Sequence, residues 1–384
     1  MKQPFFSIII PTKNRPELLR DAISSVLLQD FDDYELIVSD NFNDERTRKT
    51  VDEFRGDKHL SYIRTEKEMN MPDHWEFATQ KANGLYVMVF TDRSFLRQGS
   101  LRDIYTSISK AKEEVAVCFW DYGHYDEKRK ILFGENEKKK VEFIKSKDLI
   151  KNYSKTIEFK LLPVPHRSCY RFDVAQKIRQ NVGRLCWPVC PDGTSALLLL
   201  AHSNFIMHIP RSLFFFQGEA VSNGNQAKFN STTYFSSLNI KNPYQFVPIK
   251  APITHSVLIN DLLKIKNLVK ENLEDIKIDW IFYFTSCYIE LRGTITRPDA
   301  DKKFQFELLK EWKKTLLTYD EKFQKTVWKG IRRRYKEIIK SYVRSSFAGE
   351  FLAGIKRFFQ GKPTFKRLSV LEAGGFDYKV FKKN

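Results

Sequence analysis

The stretch that most constrains this chain is Phe6-Ser7-Ile8-Ile9-Ile10-Pro11-Thr12-Lys13-Asn14-Arg15. A run rich in β-branched residues stops at a proline, four polar side chains follow, and Pro16-Glu17-Leu18-Leu19 opens a helical pattern. This order predicts a buried strand, a short loop and a helix N-terminus. In open α/β sheets, ligands sit beyond the carboxyl ends of the strands, where helix N-termini also favour anions. The loop after residue 11 is therefore the first candidate wall of a nucleotide site.

The same pattern recurs. Strands are expected at 5–10, 34–39, 60–64 and 85–90, with helices at 16–29, 44–54, 75–82 and 98–111 between and after them. Strands alternating with helices through short loops predict an α/β fold with a parallel, doubly wound sheet. Three strands end in polar clusters: Thr12-Lys13-Asn14-Arg15, Asp40-Asn41 and Asp92-Arg93-Ser94. On one sheet edge they would converge on one crevice. Further on, a strand is expected at 115–120 within β-structure reaching 143. A proline-bracketed segment, 161–170, carries His166 and Arg167. A helix at 194–203 and a strand at 205–209, continuing to 216, follow.

From about residue 255 the pattern is helical and amphipathic, with helices expected at 304–317, 327–342 and 347–359. The chain divides into residues 1–245, carrying the α/β pattern, and a helical, basic region, 246–384. The formal charge is +18, and residues 301–384 hold 22 Lys/Arg against 9 Asp/Glu. Basic amphipathic helices suit an anionic membrane face; solvated helix faces, or packing on the α/β part or on a second copy, are the alternatives. No nucleic-acid-binding motif accompanies the charge, so no nucleic-acid partner is expected. The five cysteines are scattered. Cys186 and Cys190 have a metal-like spacing but no second Cys/His pair, so ordinary thiols in a reducing compartment are expected. No signal-type or membrane-spanning segment is expected, and the location that follows is cytoplasmic, with room for peripheral attachment to the inner membrane face.

At these residues the chain resembles the family 2 glycosyltransferases. Ser7 to Arg15 matches their opening strand and loop. Glu35-Leu36-Ile37-Val38-Ser39-Asp40-Asn41 matches the second strand with its terminal aspartate. Trp75-Glu76-Phe77-Ala78 followed by Gly84-Leu85-Tyr86-Val87 matches a later segment. The resemblance covers roughly 5–220 and implies the GT-A fold, a Rossmann-like, mostly parallel sheet with flanking helices. It also implies a nucleotide-sugar donor, a divalent Mn²⁺ or Mg²⁺, and single displacement with inversion. Pro11, Thr12, Arg15, Asp40 and Asn41 would line the nucleotide. A carboxylate at Asp40 suits the N–H of uracil or guanine, so a UDP-sugar is favoured. Trp75 would lie beneath the donor or in the core.

The family's metal motif falls on Thr91-Asp92-Arg93-Ser94, where it departs from pattern. Asp92 takes the place of a metal-binding aspartate and Ser94 that of the second. Three readings stay open: Asp92 and Ser94 hold the cation with the diphosphate; Arg93 pairs with the diphosphate in its stead; or the site is degenerate and the protein binds nucleotide sugar or glycan without turnover. The family's catalytic base falls on Asp192 in Pro191-Asp192, just before an apolar helix, where a helix N-cap is the simpler role. Glu219, in a Gly-rich segment at 218–224, is the second candidate base. The acceptor implied is a glycan or a lipid-linked glycan, in surface-polysaccharide synthesis.

Overall fold

The computed structural model describes residues 2–345, apart from 43–44, 127–130, 134–139, 158–161, 217–237, 239, 241 and 296–300. The first half alternates as expected: β1 (Phe6–Thr12), α1 (Pro16–Leu27), β2 (Tyr34–Asp40), α2 (Glu45–Asp52), β3 (Leu60–Arg64), α3 (Met71–Thr79), β4 (Tyr86–Val89), β5 (Ser94–Leu96) and α4 (Ser100–Ser109). Then come β6 (Val117–Asp126), β7 (Ile131–Phe133), β8 (Glu142–Lys145), α5 (Ser146–Thr156), a 3₁₀ turn (Pro165–Arg167), β9 (Ser168–Arg171), α6 (Phe172–Val182), α7 (Pro191–Ala201) and β10 (Phe205–Phe216). The remaining helices are α8 (Thr254–Leu268), α9 (Lys270–Leu273), α10 (Trp280–Ile295), α11 (Lys302–Leu316) and α12 (Glu321–Ser345).

The strands form one sheet in the order β3-β2-β1-β4-β9-β6-β10-β5. The pairs β3-β2, β2-β1 and β1-β4 are parallel, as the sequence implies. Beyond β4 the sheet changes character: β9 runs antiparallel to both β4 and β6, and β5 antiparallel to β10. The result is a mixed, mostly parallel first half joined to a second half that no sequence spacing announced. Nor did the sequence announce α5 and α6, whose apolar faces are short and interrupted by lysine and arginine. The helix expected at 75–82 begins four residues earlier. The Asn70 side chain accepts from the Asp73 N–H, and Pro72 takes a first-turn position.

All seven residues of β1 are buried, and its side chains alternate between two cores. Ile8 and Ile10 pack with Leu19, Ala22, Ile23 and Val26 of α1. Ile9 packs on the opposite face with Trp75, Ala78 and the leucines of α7. Trp75 thus takes the core role. Gly84, at the start of the turn into β4, touches β1 so closely that a Cβ would lie 2.5 Å from the Ser7 nitrogen.

α7 is buried along almost its whole length and joins the sheet to the C-terminal helices. Leu258, Ile259, Leu262, Phe284, Trp312, Val327 and Ile331 belong to the same core as Ile9 and Leu197–Leu200. The two regions read from the sequence therefore meet on a continuous apolar core. α12 places Phe323, Val327, Ile331 and Tyr335 against that core, while Ile338 and Ile339 stand exposed beyond it. Among the described residues no helix is long and apolar enough to cross a membrane. The helix expected at 347–359 lies outside the described residues.

Candidate active site

The carboxyl ends of β1, β2 and β4 lie side by side, with Thr12 opposite Asp40 in the parallel register. This brings two of the polar clusters and the start of the third to one edge. Asp40 is fully buried and accepts from the Tyr62 hydroxyl of β3 at 2.7 Å. Burial and this bond push the Tyr62 hydroxyl pKa up. Asn41 is spent on structure: its amide both donates to the Met69 carbonyl (2.7 Å) and accepts from the Met69 N–H (2.8 Å). The 65–70 loop is thereby fastened beside β2, and Lys13 reaches it through Glu68 at 2.6 Å. An open cleft of about 640 Å³ is lined by residues of this loop, Lys67 and Asn70 among them, together with Asp73 and Arg184.

Asp92 sits just beyond β4 and is almost wholly buried. Its two oxygens are engaged, one by the Thr12 hydroxyl and one by the Arg15 guanidinium, each at 3.0 Å. Burial raises its carboxyl pKa, against the pull of Arg15 and Thr12. Ser94 is buried at the start of β5, and its hydroxyl bonds the Thr91 hydroxyl at 2.9 Å. Arg93 lies partly exposed between them, its guanidinium 5.5 Å from the Phe216 ring centre. His166 packs edge-on against the same ring. Burial, with Arg167 and Arg93 nearby, lowers its pKa to about 3, so the imidazole is neutral. Arg167 is buried over the Tyr122 ring and donates to the Leu162 carbonyl, which makes it part of the packing.

The expected Asp92–Ser94 pair does not fit a divalent cation. Such ions take several oxygen ligands, with carboxylates supplying the charge. Here the one carboxylate is already neutralised by a guanidinium, and the serine is turned into its own loop. Among the described residues no group of three or more His, Cys, Asp or Glu side chains converges as a metal site. Cys186 and Cys190 likewise form none: both are free thiols, Cys186 buried and Cys190 partly so.

Asp192 occupies the first turn of α7, partly exposed. Its carboxylate accepts from the Gly193 N–H (3.0 Å) and the Cys190 thiol (2.8 Å), and no cation pairs with it among the described residues. Burial raises its pKa, opposed by these two bonds. The side chain does bond its own helix, as the simpler capping role requires, but from inside the first turn. Glu219 and the 218–224 segment lie outside the described residues.

Two carboxylates that sequence reasoning gave no role clamp the loop before Asp192. Glu76 of α3 accepts the Leu185 and Cys186 N–H groups (2.9 and 2.8 Å) and pairs with Arg179 at 2.6 Å. Burial alone would raise its pKa, but Arg179 and these bonds hold it below the usual value. Asp261 of α8 accepts the Val189 and Cys190 N–H groups (3.2 and 2.9 Å). It is 1% exposed, and burial pushes its pKa up to about 7 against those bonds. Lys264, one helical turn on, donates to the Pro188 carbonyl and lies over the Trp187 ring. Glu76 stood inside a quoted motif; nothing near Asp261 in the sequence marked it.

This arrangement has solved counterparts. Staphylococcus aureus TarS, residues 1–349, in complex with UDP-GlcNAc, superposes with a TM-score of 0.51 at 13% identity, covering 88% of this chain and 91% of that one. The longer TarS structure gives 0.50 at 12% identity, over 88% of this chain and 55% of its own. The fold is that of the GT-A glycosyltransferases. Residues 7–178 match the family model described as Glycosyl transferase family 2. Among curated relatives, a GalNAc(5)-diNAcBac-PP-undecaprenol beta-1,3-glucosyltransferase of Campylobacter jejuni is 33% identical over 118 residues, 30% of this chain and 37% of that protein. The uncharacterized glycosyltransferase YfnE of Bacillus subtilis is 27% identical over 161 residues, 38% of this chain and 41% of its own. The matches thus span about two fifths of each curated relative's length.

Proposed function

We propose that this protein transfers a sugar from a nucleoside-diphosphate donor to a hydroxyl of a glycan or lipid-linked acceptor, with inversion. The observation that carries the reading is the contrast between two carboxylates: Asp92 bonded to Arg15 at the strand ends, and Asp192 at a helix start with no cation paired to it among the described residues. Asp192 takes the acceptor proton as the hydroxyl oxygen forms its bond to C1; the bond from C1 to the phosphate oxygen breaks, and the diphosphate leaves. A raised carboxyl pKa suits a base that must accept a proton near neutrality. Arg93, partly exposed at the strand edge, and Arg15 meet the charge that develops on the diphosphate. Asp40 and Thr12 face the nucleoside. The fold shared with the TarS fragment solved with UDP-GlcNAc supports a nucleotide-sugar donor, and the Campylobacter relative supports a lipid-linked acceptor in surface-glycan assembly. The exposed Ile338 and Ile339 among the cations of α12 support attachment to an anionic membrane surface, on the cytoplasmic side where such donors are held.

The test is transfer or slow hydrolysis of UDP-, GDP-, dTDP- and CMP-sugars, with Mn²⁺ or with EDTA. Asp192→Asn is expected to lower turnover by about 10³-fold while leaving nucleotide affinity unchanged. EDTA is expected to change the rate less than about twofold, since the donor set does not fit a divalent ion. Binding of a nucleotide sugar without any turnover would favour the non-catalytic binding protein.

A further inference from the structure

Among the described residues, three other than glycine hold a positive φ: Asn14 (60°), Phe42 (46°) and Ile157 (52°). An L side chain in this region crowds its own backbone, and bulky residues are rarely found there. Two of the three are explained locally. Asn tolerates the conformation through its short polar side chain. Ile157 ends α5 in the left-handed position that closes helices, and it is buried in the larger core, so its packing offsets the strain. Phe42 has neither excuse. It is 48% exposed, belongs to no core, and is a large aromatic residue at a position that glycine would fill without strain.

Its place is informative. Phe42 follows Asp40 and Asn41 at the carboxyl end of β2, on the rim of the candidate nucleotide wall. Its ring lies against the Arg64 guanidinium of β3, 5.5 Å from ring centre to carbon, and Arg64 is paired opposite Asp40 in the sheet. Arg64 is itself held by Glu45 at 2.9 Å. An aromatic face steadied by a planar cation, beside a buried carboxylate, has the form used to stack a base while its edge is bonded. Strain kept at an exposed position marks a site whose benefit lies outside folding.

We infer that Phe42 is the stacking platform for the nucleobase whose edge Asp40 reads, and that it sets base affinity at this site. The inference rests on the nucleotide-donor reading above. It makes Phe42 a binding residue for a planar heterocycle, not for the sugar or the diphosphate.

The test compares wild type with Phe42→Gly and Phe42→Tyr, measuring dissociation constants for UDP, GDP, dTDP and CDP by calorimetry, and for inorganic pyrophosphate by competition. Phe42→Gly is expected to weaken the preferred nucleoside diphosphate about tenfold, leave pyrophosphate unchanged and leave the urea midpoint level or higher. Phe42→Tyr is expected to keep the affinity. Unchanged nucleotide affinity in Phe42→Gly overturns the platform, and so does a lowered urea midpoint, which would give Phe42 a folding role. If wild type binds none of the four nucleotides, the donor reading itself falls, and the inference with it.

Discussion

The proposed donor wall and the proposed base wall are built on opposite plans. The proposed donor wall is built on strand ends and neutralised: Thr12, Arg15, Asp40 and Asp92 stand at adjacent strand ends, and Asp92 has its charge met by Arg15 at 3.0 Å. The proposed base wall stands on a loop, with no cation paired to its carboxylate among the described residues. Among the described residues Asp192 bonds a thiol and an amide, and its loop is held by carboxylates from α3 and α8. A carboxylate bonded to a buried guanidinium is a poor base and a poor metal ligand. One held loosely, on a loop anchored elsewhere, is free to take a proton.

The sharpest way to break this comparison is to remove each carboxylate and measure folding. Asp92→Ala leaves the largely buried Arg15 guanidinium without its counter-ion and is expected to destabilise by about 3 kcal/mol, read as a lowered urea midpoint. Asp192→Ala breaks no ion pair and is expected to be near neutral. Equal losses in the two variants would erase the distinction.

A smaller effect is expected when the clamp is loosened. Asp261→Asn keeps the size of the side chain but replaces one acceptor with a donor facing an N–H. Turnover is expected to fall about tenfold, because the loop that aims Asp192 shifts, with nucleotide affinity unchanged. The same pair of proteins carries a pH signature. Asp261 is raised to about 7 in the fold from an ordinary value of 3.8. The folded state therefore binds a proton that the unfolded chain has released, and stability linked to it is lost as pH rises from about 4 through 7. Relative to Asp261→Asn, the wild-type urea midpoint should fall across that range; a flat difference would show that the carboxyl titrates normally.

The mildest change tests whether the helices that brace the base wall have a second use. Replacing Ile338 and Ile339 of α12 with serine removes exposed side chains and is expected to leave stability within about 0.5 kcal/mol. Co-sedimentation with vesicles containing anionic lipid should fall several-fold if that end of α12 rests on a membrane. Unchanged sedimentation would leave these helices as braces alone.

Much of the donor wall was legible in the residues because strand periodicity and loop chemistry are local. Ile8-Ile9-Ile10 before Pro11 announces a strand buried on both faces, and Asp40 and Asp92 fall where such strands end. The departure at Arg93 and Ser94 was visible too, although the residue types alone left open whether Asp92 and Ser94 hold a divalent ion. Asp192 was named from the family resemblance and its place before an apolar helix. The second half of the sheet escaped because antiparallel insertion of β9 between β4 and β6 is decided by which edges remain unpaired after folding. Phe42 escaped because backbone strain has no signature in residue type.

The sequence by itself determined the alternation of elements, the parallel start of the sheet and which carboxylates stand near it, since these follow from spacings of a few residues. Only the tertiary structure decided what each carboxylate does. Arg15 and Asp92 are 77 residues apart, and the Cys190 N–H meets Asp261 across 71. Whether a buried acid is paired, clamped or left open depends on which distant groups the packing brings within about 3 Å, where charge and hydrogen bonding act most strongly.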